Sequence, residues 1–180
     1  DECYHCGPAH PEYCSVMAHA RPQTHGNPRE LEAWHQFLER WSEQARRHGL
    51  VAGRIEHEAE PFFFSQCDRW PIREGYKTQS RDGQPVAPLM GEFTEYDGGW
   101  TYASFYPVNY CFAFADHAVL PRFTPLEPQL TEVEMTWLVH PQAEAGRDYD
   151  PERLTWLWRV TTDQDAKIVE DNQAGVNSRA

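Results

Sequence analysis

Thr131-Glu132-Val133-Glu134-Met135-Thr136-Trp137-Leu138-Val139 alternates with period two and places Val133, Met135, Trp137 and Val139 on one face of a strand. After the turn-rich stretch from Pro141 to Tyr149 comes Asp150-Pro151-Glu152, which reads as a cap, a first-turn proline and a first-turn acid. A helical pattern follows through about Ala174, with Leu154, Leu157, Thr161, Asp165, Ile168 and Asn172 close to one stripe. A half-wet strand running into a long amphipathic helix predicts an antiparallel sheet with a helix laid against it. An aspartate on the core-facing stripe of that helix needs a reason to be there.

Upstream of this unit, the strand pattern reaches from Val51 to about Val139. Trp100 to Ala115 (WTYASFYPVNYCFAFA) is a further clear run, and Asp82-Gly83 and Asp97-Gly98-Gly99 are turn signals. Before it, Asn27 can cap, Pro28 suits a first turn, and Leu31, Trp34, Leu38, Trp41 and Ala45 recur at helical spacing until Gly49. The spacing predicts a helix over 28–48. No repeat, low-complexity tract or linker divides the chain. The expectation is one α+β domain over residues 1–180, with helices covering one face of a curved antiparallel sheet.

Composition bounds the function. The 180 residues carry 16 Lys and Arg against 28 Asp and Glu, a formal charge of −12, with 40% hydrophobic and 13% aromatic residues. That apolar content can fill a core, which excludes a wholly disordered acidic chain. The negative charge repels phosphate backbones, so nucleic acid is not an expected partner. No apolar run approaches the roughly 18 residues of a membrane span, and no signal segment opens the sequence. Three of five cysteines, Cys3, Cys6 and Cys14, crowd the first fourteen residues, unlike a disulfide framework. A soluble protein of the reducing cytoplasm is expected.

Chemistry concentrates in Asp1-Glu2-Cys3-Tyr4-His5-Cys6-Gly7-Pro8-Ala9-His10. One reading is structural zinc on Cys3-x-x-Cys6 with His10 or Cys14, although no second CxxC pair accompanies it. A thioredoxin-like role for the same pair lacks a preceding strand. Another reading takes His5 and His10 with a distant carboxylate, Asp165 being the candidate, as the two-His-one-carboxylate face that holds non-haem Fe(II). A spacing of five is off the helical i,i+4 pairing, but Gly7-Pro8 would break the ladder and let both rings face one way. The third reading gives these histidines a plain structural role, which is also assigned to His19, His25, His35, His48, His57, His117 and His140. Phe62-Phe63-Phe64 and the Trp156/Trp158 pair read as core.

The segment Glu2-Cys3-Tyr4-His5-Cys6-Gly7-Pro8-Ala9-His10-Pro11-Glu12-Tyr13 resembles the iron motif of Rieske-type non-haem iron oxygenase α subunits, with an acid three before the first His and a second His five later. Asp165 to Val176 (DAKIVEDNQAGV) resembles the same family's carboxy-terminal segment. Pro88-Leu89-Met90-Gly91, Tyr96-Asp97-Gly98-Gly99, Asp148-Tyr149-Asp150 and Leu154-Thr155-Trp156-Leu157-Trp158 are similar to members of the glycine betaine, choline and carnitine oxygenase branch. The resemblance covers essentially the whole chain.

It implies His5, His10 and Asp165 as ligands of a mononuclear Fe(II). It also implies Glu2 as the catalytic bridging acid toward a Rieske cluster; Glu in place of the commoner Asp is similar to the carnitine branch. A helix-grip fold is implied, as is a homotrimer supplied with electrons from NAD(P)H by a separate reductase. The implied reaction uses O2 to hydroxylate and N-demethylate a small quaternary ammonium compound such as a betaine. Aromatic-ring hydroxylation at the same iron, or a zinc-stabilised domain that only binds a ligand, are the alternatives. Nothing here matches the family's Cys-x-His and Cys-x-x-His cluster ligands, so the expectation is a catalytic-domain piece whose [2Fe-2S] domain precedes Asp1.

Overall fold

The computed structural model describes residues 9–17, 28–55, 66–105 and 109–178. Among the described residues, three helices, α1 (Pro11–Val16), α2 (Pro28–Arg47) and α3 (Pro151–Asn177), accompany six strands. The strands are β1 (Gly53–Ile55), β2 (Gln66–Pro71), β3 (Gly99–Phe105), β4 (Asn109–Ala113), β5 (His117–Glu127) and β6 (Leu130–Val139). They form one antiparallel meander in chain order, β1 to β6, the curved sheet with helices that the sequence predicts. The run from Trp100 to Ala115 divides into two paired strands, with Phe105 opposite Asn109.

The register explains where the aromatic residues go. Trp70 lies opposite Trp100, Tyr102 opposite Phe112, Phe112 opposite Val119, and Val119 opposite Trp137. Because side chains alternate, Trp70, Trp100, Tyr102, Phe112, Val119, Met135 and Trp137 share one face. Against it pack Val16 and Met17 from the end of α1 and Leu157 and Trp158 from α3, forming the main core cluster. Phe112 sits 4.8 Å from Trp158 and 5.2 Å from Trp100 between ring centroids. Truncating a ring this well packed costs about 3–5 kcal/mol. Arg69 alternates to the other face and lies over the Trp41 ring of α2 at 5.3 Å. Its guanidinium pairs with Asp97. A Cβ on Gly99 would come within 2.5 Å of that guanidinium, so any larger residue there has to push the Arg69 head aside from Asp97.

Both long helices end as their residues dictate. Asp150 accepts a bond from Glu152 N at 2.9 Å and Pro151 opens α3, a cap worth about 1 kcal/mol. At the end of α2, Gly49 takes φ +74 and Leu50 N returns to Ala45 O at 2.9 Å, closing the helix in a Schellman turn. The predicted cap Asn27 lies outside the described residues.

Candidate metal centre

His10 immediately precedes α1, whose Pro11 fixes the first helical residue. Asp165 lies on α3, four residues beyond the buried Thr161. Packing of α1 on α3, with Tyr13 edge-on to Trp158 at 5.8 Å, brings the two ends of the chain together. His10 Nε2 is 3.1 Å from Asp165 Oδ1. Two of the four residues singled out by the sequence thus meet; His5 and Glu2 lie outside the described residues.

The placement of Asp165 corrects one expectation. Leu154, Leu157 and Thr161 are buried as the helical stripe predicts, but the Asp165 side chain is 56% exposed and His10 only 12%. The stripe outruns the packed part of the sheet: Ile168 and Val169, one turn further on, are exposed as well. Asp165 therefore stands at the rim of the core, where a carboxylate keeps its water and needs no buried partner.

Three residues that the sequence did not single out complete the surroundings. His10 Nδ1 lies 3.0 Å from Gln164 Oε1, and Gln164 Nε2 donates to Glu12 Oε2 at 2.9 Å. That amide donor holds the Glu12 carboxyl below the ordinary carboxylate range. Tyr110 lies on the aromatic face; burial, reinforced by the nearby Asp165 charge, pushes its hydroxyl up to about 12, so it stays protonated at neutral pH. Tyr110 in turn packs edge-on or tilted against Tyr102, Phe112 and Phe123, with centroids 5.3–6.1 Å apart. Glutamine and tyrosine leave no periodic signature, and only proximity in the fold shows their place.

The donor set fits a metal ion. A carbonyl oxygen only accepts, so His10 must carry a proton on Nδ1 to satisfy Gln164 Oε1. In the neutral ring, Nε2 then presents a lone pair to a carboxylate oxygen, and two acceptors at 3.1 Å need a proton or a cation between them. First-row metals bind N and O at roughly 2.0–2.2 Å, so donors at right angles around one ion stand about 3 Å apart. Among the described residues no third His, Cys, Asp or Glu completes the group. The zinc reading rests on Cys3 and Cys6, which lie outside the described residues; Cys14, its possible further ligand, forms no disulfide.

Comparison with known proteins points the same way as this geometry. Residues 1–180 match the family described as ring hydroxylating alpha subunit (catalytic domain). The chain is 35% identical over 184 residues to the glycine betaine monooxygenase oxygenase subunit of Chromohalobacter salexigens, covering 99% of this chain and 39% of that protein. To the subunit of the same name from Pseudomonas aeruginosa it is 31% identical over 188 residues, covering 99% and 41%. It thus spans about two fifths of the length of these relatives. No helix among the described residues is long and apolar enough to cross a membrane. With a match over its whole length and an antiparallel sheet backed by a long carboxy-terminal helix, the chain belongs to the catalytic-domain family of ring-hydroxylating oxygenase α subunits.

Proposed function

We propose that this chain is the oxygen-activating domain of an oxygenase that hydroxylates and N-demethylates a small quaternary ammonium compound such as a betaine, with a mononuclear Fe(II) held by His5, His10 and Asp165. The observation that carries this reading is the meeting of His10 and Asp165 at 3.1 Å from opposite ends of the chain. Fe(II) bound there supplies the one-electron chemistry with O2 that no side chain can perform. The protein does the rest. His10, largely buried, offers a neutral donor, while Asp165 at the rim offsets one of the ion's two charges. Tyr110, near enough for the Asp165 charge to act on its hydroxyl, brings an aromatic ring beside them, with Tyr102 packed against it. Ring faces attract an alkylated ammonium by their quadrupole and exclude water from the reacting C–H bond.

Glu2 is read as the acid that relays electrons toward the iron from a [2Fe-2S] Rieske cluster in a preceding domain, and an NAD(P)H-dependent reductase as their source. A homotrimer in the cytoplasm is part of the same reading. The substrate class and the separate reductase are supported by the name glycine betaine monooxygenase oxygenase subunit that the relatives in both organisms carry. The test combines metal analysis with turnover. Iron bound in about one-to-one ratio at this centre, and lost in both His10→Ala and Asp165→Ala, is expected. So is NAD(P)H-dependent demethylation of a betaine by the full-length protein with its reductase. Hydroxylation of aromatic acids in place of betaines would move the substrate to the ring-hydroxylating alternative. Zinc retained by both variants would overturn the iron site.

A further inference from the structure

Glu12 and Gln164 touch none of the proposed reacting groups except through His10, yet they form a continuous hydrogen-bonded line to it. Glu12 Oε2 accepts from Gln164 Nε2 at 2.9 Å, and Gln164 Oε1 faces His10 Nδ1 at 3.0 Å. Each link has a direction. A carboxylate can only accept, so it draws the NH2 end of the Gln164 amide toward itself. The carbonyl end is thereby turned to His10, where it can only accept too, and Nδ1 must hold the ring proton. A lone glutamine could not do this, because its amide can turn over and offer NH2 instead. The line spans two elements: Glu12 is in the first turn of α1 and Gln164 is on α3.

We propose that Glu12 and Gln164 are a positioning pair that fixes the proton of His10 on Nδ1 and so presents Nε2 as an unprotonated donor toward Asp165. The proposal rests on the metal reading for its purpose but not for its geometry. Outer hydrogen bonds of this type orient ligating rings and raise their basicity. The pair also explains why a carboxylate and an amide face each other between two helices at the rim of the core, where water could otherwise have satisfied both.

Co(II) is the probe, titrated into the full chain and followed by its visible absorption, with ring 15N shifts of His10 recorded in the metal-free protein. Gln164→Leu should lose the Nδ1–H signature and weaken Co(II) binding by about 10- to 100-fold. The exchange Glu12→Gln with Gln164→Glu keeps an acceptor against Nδ1 and a donor between the two side chains. This double variant should bring back the signature and bind Co(II) within about threefold of the parent, an outcome a merely structural role would not produce. Wild-type binding by Gln164→Leu, or a double variant no better than Gln164→Leu, would overturn the proposal. If His10→Ala and Asp165→Ala both bind Co(II) normally, the metal reading falls instead; the 15N signature in the metal-free chain and its loss in Gln164→Leu still decide the pair.

Discussion

Two histidine–aspartate pairs occur among the described residues, and they are built for opposite ends. In the core, Asp116 and His117 are each at most 1% exposed, and His117 Nδ1 lies 2.8 Å from Asp116 Oδ1. Thr78 Oγ1 donates to the same oxygen at 2.5 Å and Val86 N to the other at 3.0 Å, so both carboxylate oxygens are occupied. The His117 ring is stacked on Phe114 at 4.8 Å. At the rim, His10 and Asp165 stand 3.1 Å apart. Among the described residues, no hydrogen-bond donor meets the second Asp165 oxygen. A carboxylate whose lone pairs are all spoken for stabilises a fold; one that keeps lone pairs and water access can hold an ion.

The contrast predicts its largest effect in the core. Asp116→Ala leaves Thr78, Val86 and His117 buried without their acceptor, and should destabilise the domain by about 3–5 kcal/mol. Denaturant unfolding measures this, and a loss under about 1 kcal/mol would mean that the cluster rearranges around the gap.

Acid should act on the same pair. Burial pushes Asp116 upward, but the bonds from His117, Thr78 and Val86 outweigh it and hold the carboxyl below its ordinary range. A depressed folded-state value gives stability that is present above the unfolded value of about 4 and lost as pH falls through the folded one. The difference in unfolding midpoint between the parent and Asp116→Asn should therefore stay level from about pH 5 to 7 and shrink below about pH 4. A difference that widens in acid would reverse the assignment.

The smallest effect belongs to the rim. Asp165→Ala should change metal-free stability by no more than about 0.5 kcal/mol, since its side chain is more than half exposed. A large loss on thermal or denaturant unfolding would make Asp165 a structural residue and erase the contrast.

Much of this arrangement could be read from residue order. The α2 helix runs over Pro28–Arg47 with Trp34, Trp41 and Ala45 of the predicted stripe buried. Trp137 and Met135 turn to the core face while Leu138, between Trp137 and Val139, is exposed. Such elements are legible because burial repeats with a fixed period. The His10–Asp165 meeting was reached through motif resemblance, and periodicity misjudged the surroundings of Asp165 because a 3.6-residue stripe carries no record of where the opposing sheet stops. Gln164 and Glu12 were missed for another reason: an amide gains its meaning only from what faces it. The Asp116–His117 pair was passed over likewise, with His117 assigned a plain structural role, which its burial bears out.

The helix that outruns its sheet has a consequence in time as well as in space. The first turns of α3 are locked through Leu154, Leu157 and Trp158. Its last turns, with Val169 and Val176 exposed, are joined to the β5–β6 turn by the amide pair of Asn177 and Gln129. Local opening free energy must fall along such a helix, from nearly the global value at its start toward little at its end. Asp165 is carried one turn beyond Thr161, the last buried residue of the helix. Brief fraying of the outer turns can therefore draw the carboxylate away from His10 while the core stays closed, and an ion bound between them would slow amide exchange in those turns first.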